Sequence, residues 1–519
     1  MIATRAERPP LALLALSAAV AIVFAGPLAY LIANNVTRGG ELLETVSSSD
    51  TLRPLSRTLV LATTVAAAAA VVGTALAWLT TRTDVPARRV LRVLAPLPLV
   101  MPSFVGATAL LAAFARGGLV HEVLGVDRLP RVDGYWGAFW VLTLFTYPYV
   151  YLPVAARLGS LPPSLEESAR LLGARPWQVF RTVVAPQISG AVWAGALLVF
   201  LYAVSDFGAV QLLRYDTLTE NIYETRLVDP ELSRSLGLVL ALLAIAVVAG
   251  ERMAARRRPV TDAPGARRAL QVPLRRWRIP ALGFAVGVLG NALLAPVVVL
   301  TYWANRGGAN DVSDLVAPAF NTSLISVVAA VAAVAMVLPV AYLTTRHRSR
   351  AGGPANALVV GGFALPGLVI ALAVGSWVLH APLVGGLYQT LPLLVLAYVV
   401  HFGAQAMRAS QVAVSGVPRR MDDAARMLGA GRARRLLTID VPMMLPGLLA
   451  GAGLVLLSTM KELPATLLLA PTGFSTLATR IWNDTEDGFL AEAGLASLVL
   501  IALSGVLTWL LVVRRAERF

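Results

Sequence analysis

The chain alternates between long apolar runs and short polar segments along its whole length. Each apolar run holds roughly 20 residues, which is the length that an α-helix needs to cross a bilayer. The runs lack the strict alternation of a membrane-spanning strand. The pattern therefore predicts an all-α polytopic membrane protein with about twelve transmembrane helices. The predicted spans are residues 11–33, 57–81, 91–114, 136–158, 188–212, 233–250, 279–303, 320–345, 355–379, 387–409, 446–470 and 491–513.

The second part of the chain repeats the first. The tetrapeptide LTTR at 79–82 returns at 343–346, and the dipeptide MP at Met101 corresponds to LP at Leu365. Because each half holds an even number of predicted spans, both halves point the same way and form two parallel six-helix repeats that meet at a central seam. The predicted organisation is a first half at 1–250, an Arg-rich cytoplasmic linker at 251–278 and a second half at 279–519.

Two charged segments interrupt the apolar pattern at matching places. They read EESARLLGARPWQVFRTVVAP at 166–186 and DDAARMLGAGRARRLLTIDVP at 422–442, and they align without a gap. An ordinary polar loop would not reproduce the same spacing twice. The two segments therefore carry a shared function.

Each charged segment predicts a helix–turn–helix. A helix can begin at Pro162 and at Pro418 without losing a needed donor. Gly173 and Gly429 end that first helix at the position where a left-handed residue is required. A second short helix follows before the next span. The apolar face expected on the first helix consists of Leu165, Ala169 and Leu172.

Charge is distributed unevenly across the predicted membrane. Arginine dominates the N-terminus, the linker and the two charged segments, and acidic residues prevail in the opposite loops. This bias places both chain termini in the cytoplasm and accounts for the net charge of +15 without nucleic acid. The first span is too long for the core of a cleaved signal peptide. The linker is interpreted as a topology signal attracted to anionic lipid, with a specific partner site as the alternative.

Ionisable residues also fall inside predicted spans, namely Asp206 in the fifth and Lys461 with Glu462 in the eleventh. Charged groups in a bilayer are costly and usually mark function. Asp206 and Glu462 are equivalent in the repeat, so we expect them to face each other across the seam. One hypothesis is that these three residues, with Phe207 and Pro464, line or gate the outer mouth of a pathway. The alternative is an ion pair of Lys461 with either carboxylate that only holds the halves together.

The two charged segments resemble the EAA loop of permease subunits of binding-protein-dependent ABC importers. The shared spacing is E-x-A, three residues, glycine, nine residues, an aliphatic residue, two residues and proline. Four departures are conservative: Ser168 and Asp423 stand for Ala and Glu, and Ala185 and Val441 for Leu. The docking residues that the resemblance implies are Glu167, Ser168, Ala169, Gly173 and Ala174 in one loop, and Asp423, Ala424, Ala425, Gly429 and Ala430 in the other.

The resemblance implies a type I ABC importer permease fold in a bacterial plasma membrane. The segments 159–187 and 410–445 would then be coupling loops, each docking on one of two cytoplasmic ATPase subunits. ATP and magnesium would be bound by those separate chains, and no cofactor by this one. A periplasmic or lipoprotein binding protein would deliver the cargo from outside.

The sequences around Asp206 and Lys461 resemble the fused permeases of ferric-iron importers. They read SDFGAVQLL with TLTENIYETR, and KELPATLLL with GFSTLATRIW. Fused thiamine permeases share the architecture and remain the alternative. Fe(III) prefers oxygen ligands, and the outer loops are acidic, but the sequence assigns no iron ligand.

Several chemistries are excluded or disfavoured by the sequence. No phosphate-binding G-x-x-x-x-G-K-[ST] motif is present, and Lys461 is the only lysine. Cysteine is absent, which excludes thiol and disulfide chemistry. The histidines are scattered over different segments. An intramembrane enzyme would have to use Asp206 with Glu462, which leaves it a remote alternative to a transport subunit.

Overall fold

The computed structural model describes residues 9–36, 44, 47–125, 130–256, 271–306, 312–347, 349 and 351–510. Every element named within these ranges is helical, apart from an isolated β-bridge between Thr83 and Val272. The two chain ends and the centre of the predicted linker lie outside the described residues.

The first half contains thirteen α-helices within the described residues. They are α1 Leu11–Val36, α2 Ser49–Arg82, α3 Arg88–Leu94, α4 Ser103–Phe114, α5 Leu119–Leu124, α6 Tyr135–Thr146, α7 Pro148–Ser160, α8 Pro163–Leu171, α9 Pro176–Val179, α10 Ala185–Ser205, α11 Gly208–Leu212, α12 Leu218–Thr225 and α13 Pro230–Arg256.

The second half contributes twelve more over its described ranges. They are α14 Arg278–Leu289, α15 Ala295–Ala304, α16 Val316–Arg346, α17 Gly352–Gly361, α18 Gly367–His380, α19 Leu391–Ser415, α20 Arg419–Met427, α21 Arg432–Arg435, α22 Val441–Thr459, α23 Pro464–Leu469, α24 Leu477–Glu486 and α25 Leu490–Thr508.

Eleven helical segments of the described chain are long and apolar enough to cross a membrane, and α18 is a shorter apolar helix. The twelve predicted spans therefore reappear as eleven long segments and one short one. The predictions of continuous helices at 91–114 and 355–379 are wrong, because each breaks at the repeated proline. Met101 and Leu365, which precede these prolines, have extended backbone, since a residue before proline avoids the helical conformation. Pro102 and Pro366 then stand at the starts of α4 and α18.

The first span of each half also packs against the other half. Helix α1 packs against α16, α17 and α18 of the second half, and α15 packs against α4 of the first. Two hydrogen bonds anchor α15 there: Trp303 Nε1 donates to the Ala112 carbonyl at 2.8 Å, and the Tyr302 hydroxyl donates to the Gly117 carbonyl at 2.9 Å. The two halves are thus intertwined and not the separate bundles that the repeat alone predicts.

Small residues let the fifth span of each half approach the fourth. A Cβ added at Gly195 would lie 2.6 Å from the Val150 Cα, and one at Gly451 would lie 2.6 Å from the Ala409 Cβ. Gly195 and Gly451 are equivalent in the repeat. Close backbone approach through small residues is the usual basis of helix association in a membrane.

Three π-helical turns, Phe180–Val184, Gly290–Leu294 and Leu436–Asp440, each precede a helix whose second residue is proline. Proline has no N–H and crowds the carbonyl four residues earlier, so the helix widens into a π turn there. The second short helix predicted in each charged segment therefore continues into the fifth span of its half. Displacement of either segment can pass directly into a transmembrane helix.

Candidate functional site

The two charged segments adopt the predicted helix–turn–helix. Helix α8 begins directly after Pro162, and α20 directly after Pro418. Gly173 has a φ of +85° and Gly429 a φ of +78°, the left-handed conformation that glycine adopts at little cost. These sequence predictions are confirmed.

The tips of the loops expose large apolar side chains. Leu171 and Leu172 are each 88% exposed, and Met427 and Leu428 are 90% and 88% exposed. Of the predicted apolar face, Leu165 and Leu172 are exposed and Ala169 is partly buried. Exposed apolar clusters of this kind are typical of protein interfaces.

The predicted docking residues divide by burial. Ala425 is buried, while Ala169, Ala174 and Ala430 are partly buried. The side chain of Asp423 lies outside the described residues. The remaining members are exposed: Glu167, Ser168, Gly173, Ala424 and Gly429.

A buried ion pair that sequence reasoning missed ties the first loop to the membrane domain. Arg82 Nη1 lies 2.8 Å from Glu166 Oε1, and the side chains are 1% and 4% exposed. Nε and Nη2 of Arg82 are buried without a hydrogen-bond partner, so Glu166 is the guanidinium's main compensation for burial. The sequence did contain a signal for Arg82, because this residue belongs to the repeated LTTR motif. Glu166 is not part of the predicted apolar face, and it is nevertheless the buried residue of α8.

The end of the linker binds beside this pair. Val272 N donates to the Arg82 carbonyl at 2.7 Å, and Leu274 N donates to Asp84 Oδ1 at 2.8 Å. Arg278 forms an ion pair with Asp84. The hydrogen bond from Arg278 lowers the pKa of Asp84 most, and the hydrogen bond from the Leu274 backbone lowers it further. Arg82 therefore contacts both the first charged segment and the end of the linker.

Asp206 lies at a helix break, not within a continuous span. Predicted span 188–212 ends as a helix at Ser205, and a short helix restarts at Gly208. The Asp206 carboxylate accepts hydrogen bonds from Ala209 N at 3.0 Å, Val210 N at 3.4 Å and Ser103 Oγ at 2.5 Å. It thereby satisfies free donors at the start of α11 and joins that break to the start of α4.

Glu462 occupies the same place in the second half. Its carboxylate accepts hydrogen bonds from Ala465 N at 3.0 Å and Thr466 N at 3.2 Å. Pro464 is the first residue of α23, where a missing N–H costs nothing. Gly367 replaces Ser103 in the repeat, and a Cβ there would lie 2.9 Å from Glu462 Oε1. The predicted continuous span 446–470 is therefore wrong in the same way as its partner.

Lys461 connects the two halves through a carbonyl. Its Nζ donates to the backbone oxygen of Leu99 at 2.8 Å. Among the described ion pairs, none joins Lys461 to Asp206 or Glu462. The ion-pair alternative is therefore wrong for this structure. The two carboxylates, 7% and 6% exposed, each bind within their own half and do not pair across the seam.

The same loop architecture, twice in one chain, is matched by one family model. The model for the binding-protein-dependent transport system inner membrane component matches residues 69–250 and 338–518. The chain belongs to this family. It is therefore a multi-pass membrane permease component, and its two matches correspond to the two halves of the repeat.

Individual relatives match this permease either along its whole length or along about a third of it. It is 30% identical over 519 residues to the Fe(3+)-transport system permease protein FbpB 2 of Haemophilus influenzae, covering 97% of this chain and 98% of that protein. It is 37% identical over 141 residues to the sulfate transport system permease protein CysT of Escherichia coli, covering 27% and 50%. It is 32% identical over 168 residues to the molybdenum transport system permease protein ModB of Mycobacterium tuberculosis, covering 31% and 64%.

Among its described residues, the permease has no cluster of side chains that could form a metal site. No three histidine, aspartate or glutamate residues there lie close enough together to hold a metal ion. Phe207, the remaining predicted pathway residue, is 2% exposed and stacks on Trp482 of the other half, with ring centroids 5.1 Å apart. Sequence reasoning did not single out Trp482.

Proposed function

We propose that this permease moves Fe(III), handed over by an extracytoplasmic binding protein, into the cytoplasm. The observation that carries the proposal is the extent of similarity to the ferric-iron permease, which runs along 97% of the chain. The sulfate and molybdenum permeases match only 27% and 31% of it. Similarity along the whole chain includes the seam and outer loops that meet the cargo.

The coupling loops are proposed to bind two ATPase subunits, which hold ATP and magnesium on separate chains. The exposed apolar tips and the buried ion pair of Glu166 with Arg82 support this role. A docking element needs an apolar surface that its partner can bury, and it needs a fixed position on the rest of the protein. The loops lead without interruption into α10 and α22. Closure of the ATPases would thus tilt both helices and expose the pathway alternately to each side. With the coupling loops facing cytoplasmic ATPases, both termini are proposed to lie in the cytoplasm.

The cargo is tested by uptake of radioactive iron(III) in cells that lack the gene and in complemented cells. We expect the deletion to abolish the high-affinity part of iron uptake, and the complementing gene to restore it. Thiamine, sulfate and molybdate uptake should stay unchanged in the same cells. Loss of thiamine uptake with normal iron uptake would assign the permease to the alternative cargo.

We further propose that Asp206, Phe207, Lys461, Glu462 and Pro464 form the hinge of the outer gate. Asp206 joins the broken fifth span of the first half to α4 through Ser103, whereas Glu462 binds the start of α23 within its own span. The hydrogen bond from Lys461 to the Leu99 carbonyl joins the two halves. Such breaks let the outer end of each span move separately from its inner end. None of these contacts requires Asp206, Lys461 or Glu462 to present an unpaired charge to the cargo pathway.

Replacing Glu462 with Gln tests the hinge. The amide cannot accept both backbone hydrogen bonds, and an unpaired buried N–H costs roughly 1–3 kcal/mol of unfolding free energy. We expect a lower melting temperature and reduced iron uptake for Glu462→Gln and for Asp206→Asn. Asp487→Asn, at an exposed outer position, serves as the matched control. Normal uptake with lowered stability would leave only a structural role for the carboxylates.

A further inference from the structure

An aromatic cluster closes the seam at the end of the molecule away from the coupling loops. The ring of Phe207 lies 4.8 Å from that of Tyr223 and 5.1 Å from that of Trp482, and Tyr223 lies 6.5 Å from Trp482. Phe207 and Tyr223 belong to the first half and Trp482 to the second. Phe207 follows the 21 residues of α10, which separate it from the loop end by roughly 30 Å.

The contact between the halves continues beside this cluster. A Cβ at Gly208 would lie 2.8 Å from the Phe104 Cβ and 3.2 Å from Leu463 Cδ2 of the other half. Leu463 is the repeat equivalent of Phe207 and is 1% exposed. Trp482 is also 1% exposed. The seam at this level is therefore a dry layer of buried apolar side chains.

Charged groups lie outside this dry layer. Arg226 stacks over the Tyr223 ring with its guanidinium carbon 3.5 Å from the centroid. Burial raises the pKa of Glu486 on α24, and that rise is opposed by a hydrogen bond from Trp482 and by the charges of Arg214 and Arg226 of the first half. Charges of the two halves thus approach each other one helical turn from Trp482. The arrangement is an apolar seal with a polar outer rim.

We propose that Trp482, stacked on Phe207, is the latch of the outer gate. The inference rests on the proposed transport function, because alternating access requires the halves to separate here. Stacked rings suit a contact that opens and closes in every cycle. The two rings share no hydrogen bond with each other, so their separation leaves no ring atom unpaired, whereas separation of backbone or charged groups would leave polar atoms unpaired. A closed apolar constriction also blocks ions by excluding water.

Thr108 and Thr485 provide a reporter beside the latch. Their hydroxyl oxygens lie 3.1 Å apart across the seam, and Thr485 follows Trp482 by three residues on α24. The chain has no cysteine, so Thr108→Cys with Thr485→Cys introduces a single pair. We expect oxidation of the resting full transporter in vesicles to cross-link this pair and to stop iron uptake, and reduction to restore it.

The latch is tested by adding Trp482→Ala to the cysteine pair. We expect the cross-linking rate to fall about tenfold, a factor that corresponds to ~1.4 kcal/mol, within the range of a stacked pair. Phe207→Ala should act in the same direction, and Trp482→Phe should keep most of the rate. Trp193→Ala, at a 67% exposed position on α10, is the matched control and should change nothing.

Three outcomes overturn the latch. They are an unchanged cross-linking rate in both alanine variants, an equal fall in the Trp193→Ala control, and a rate that does not change when ATP and vanadate trap the transporter in another state. Melting temperatures of the variants separate loss of the latch from loss of the fold. The cross-link reports closure whatever the cargo is. A wrong cargo would remove the iron readout and leave the dependence on Trp482 intact.

Discussion

Replacing Arg82 with Ala should unfold or inactivate the permease more severely than any exposed charge substitution. The change leaves the Glu166 carboxylate buried without its ion-pair partner. Removal of one member of a buried pair typically costs about 3–5 kcal/mol, a large part of the stability of most domains. We expect a sharply lower melting temperature of the detergent-purified protein and iron uptake at background level.

Arg57→Ala is the matched control for this prediction. Arg57 pairs with Asp216, but these side chains are 45% and 37% exposed, and such pairs are worth less than about 1 kcal/mol. A second variant, Arg82→Met with Glu166→Leu, removes both charges and should regain most of the stability. If Arg82→Ala melts no lower than Arg57→Ala, the buried pair does not anchor the loop.

The double variant also separates stability from transmission. Arg82 contacts the first coupling loop through Glu166 and the end of the linker through Val272. Asp84 binds the linker next to it, through Leu274. A stable double variant that hydrolyses ATP without moving iron would identify the pair as a transmitting link. A stable and fully active one would restrict it to anchoring.

The features that the sequence predicted well are local and repeated. Gly173 and Gly429 recur at one spacing, and a left-handed turn depends on little beyond the glycine itself. Apolar length predicted the spans for a similar reason, because a bilayer imposes one length on every crossing helix. Both signals can be read from neighbouring residues.

The features that the sequence did not predict depend on contacts between distant segments. Nothing within the uniformly apolar α1 indicates that it packs on the second half. The break at Asp206 is hidden because the next residues, Phe207 and Gly208, are as apolar as the span. Its counterpart was more visible, since Glu462 followed closely by Pro464 is typical of a helix start. Trp482 lies in the outer segment between the predicted spans 446–470 and 491–513, where a single apolar residue does not indicate a contact.

Replacing Gly173 and Gly429 together with Val should abolish transport while leaving the protein in the membrane. A Cβ at either position meets nothing within 4 Å, so the cost comes from the backbone. A left-handed conformation costs an L-residue roughly 1–2 kcal/mol, and a β-branched side chain suffers most. The two helices of each loop would reorient. We expect co-purification of the ATPase and iron uptake to fall to background.

Two variants test whether the backbone conformation is the cause. Asn tolerates the left-handed region, so Gly173→Asn with Gly429→Asn should keep most ATPase binding. Gly431→Val lies in the second loop, also with open space around it, but its φ is not positive. It should bind the ATPase as the parent does. Equal loss in the Val and Asn variants would implicate side-chain bulk at the docking surface. Full ATPase binding by the Val variant would show that the turn does not position the docking residues.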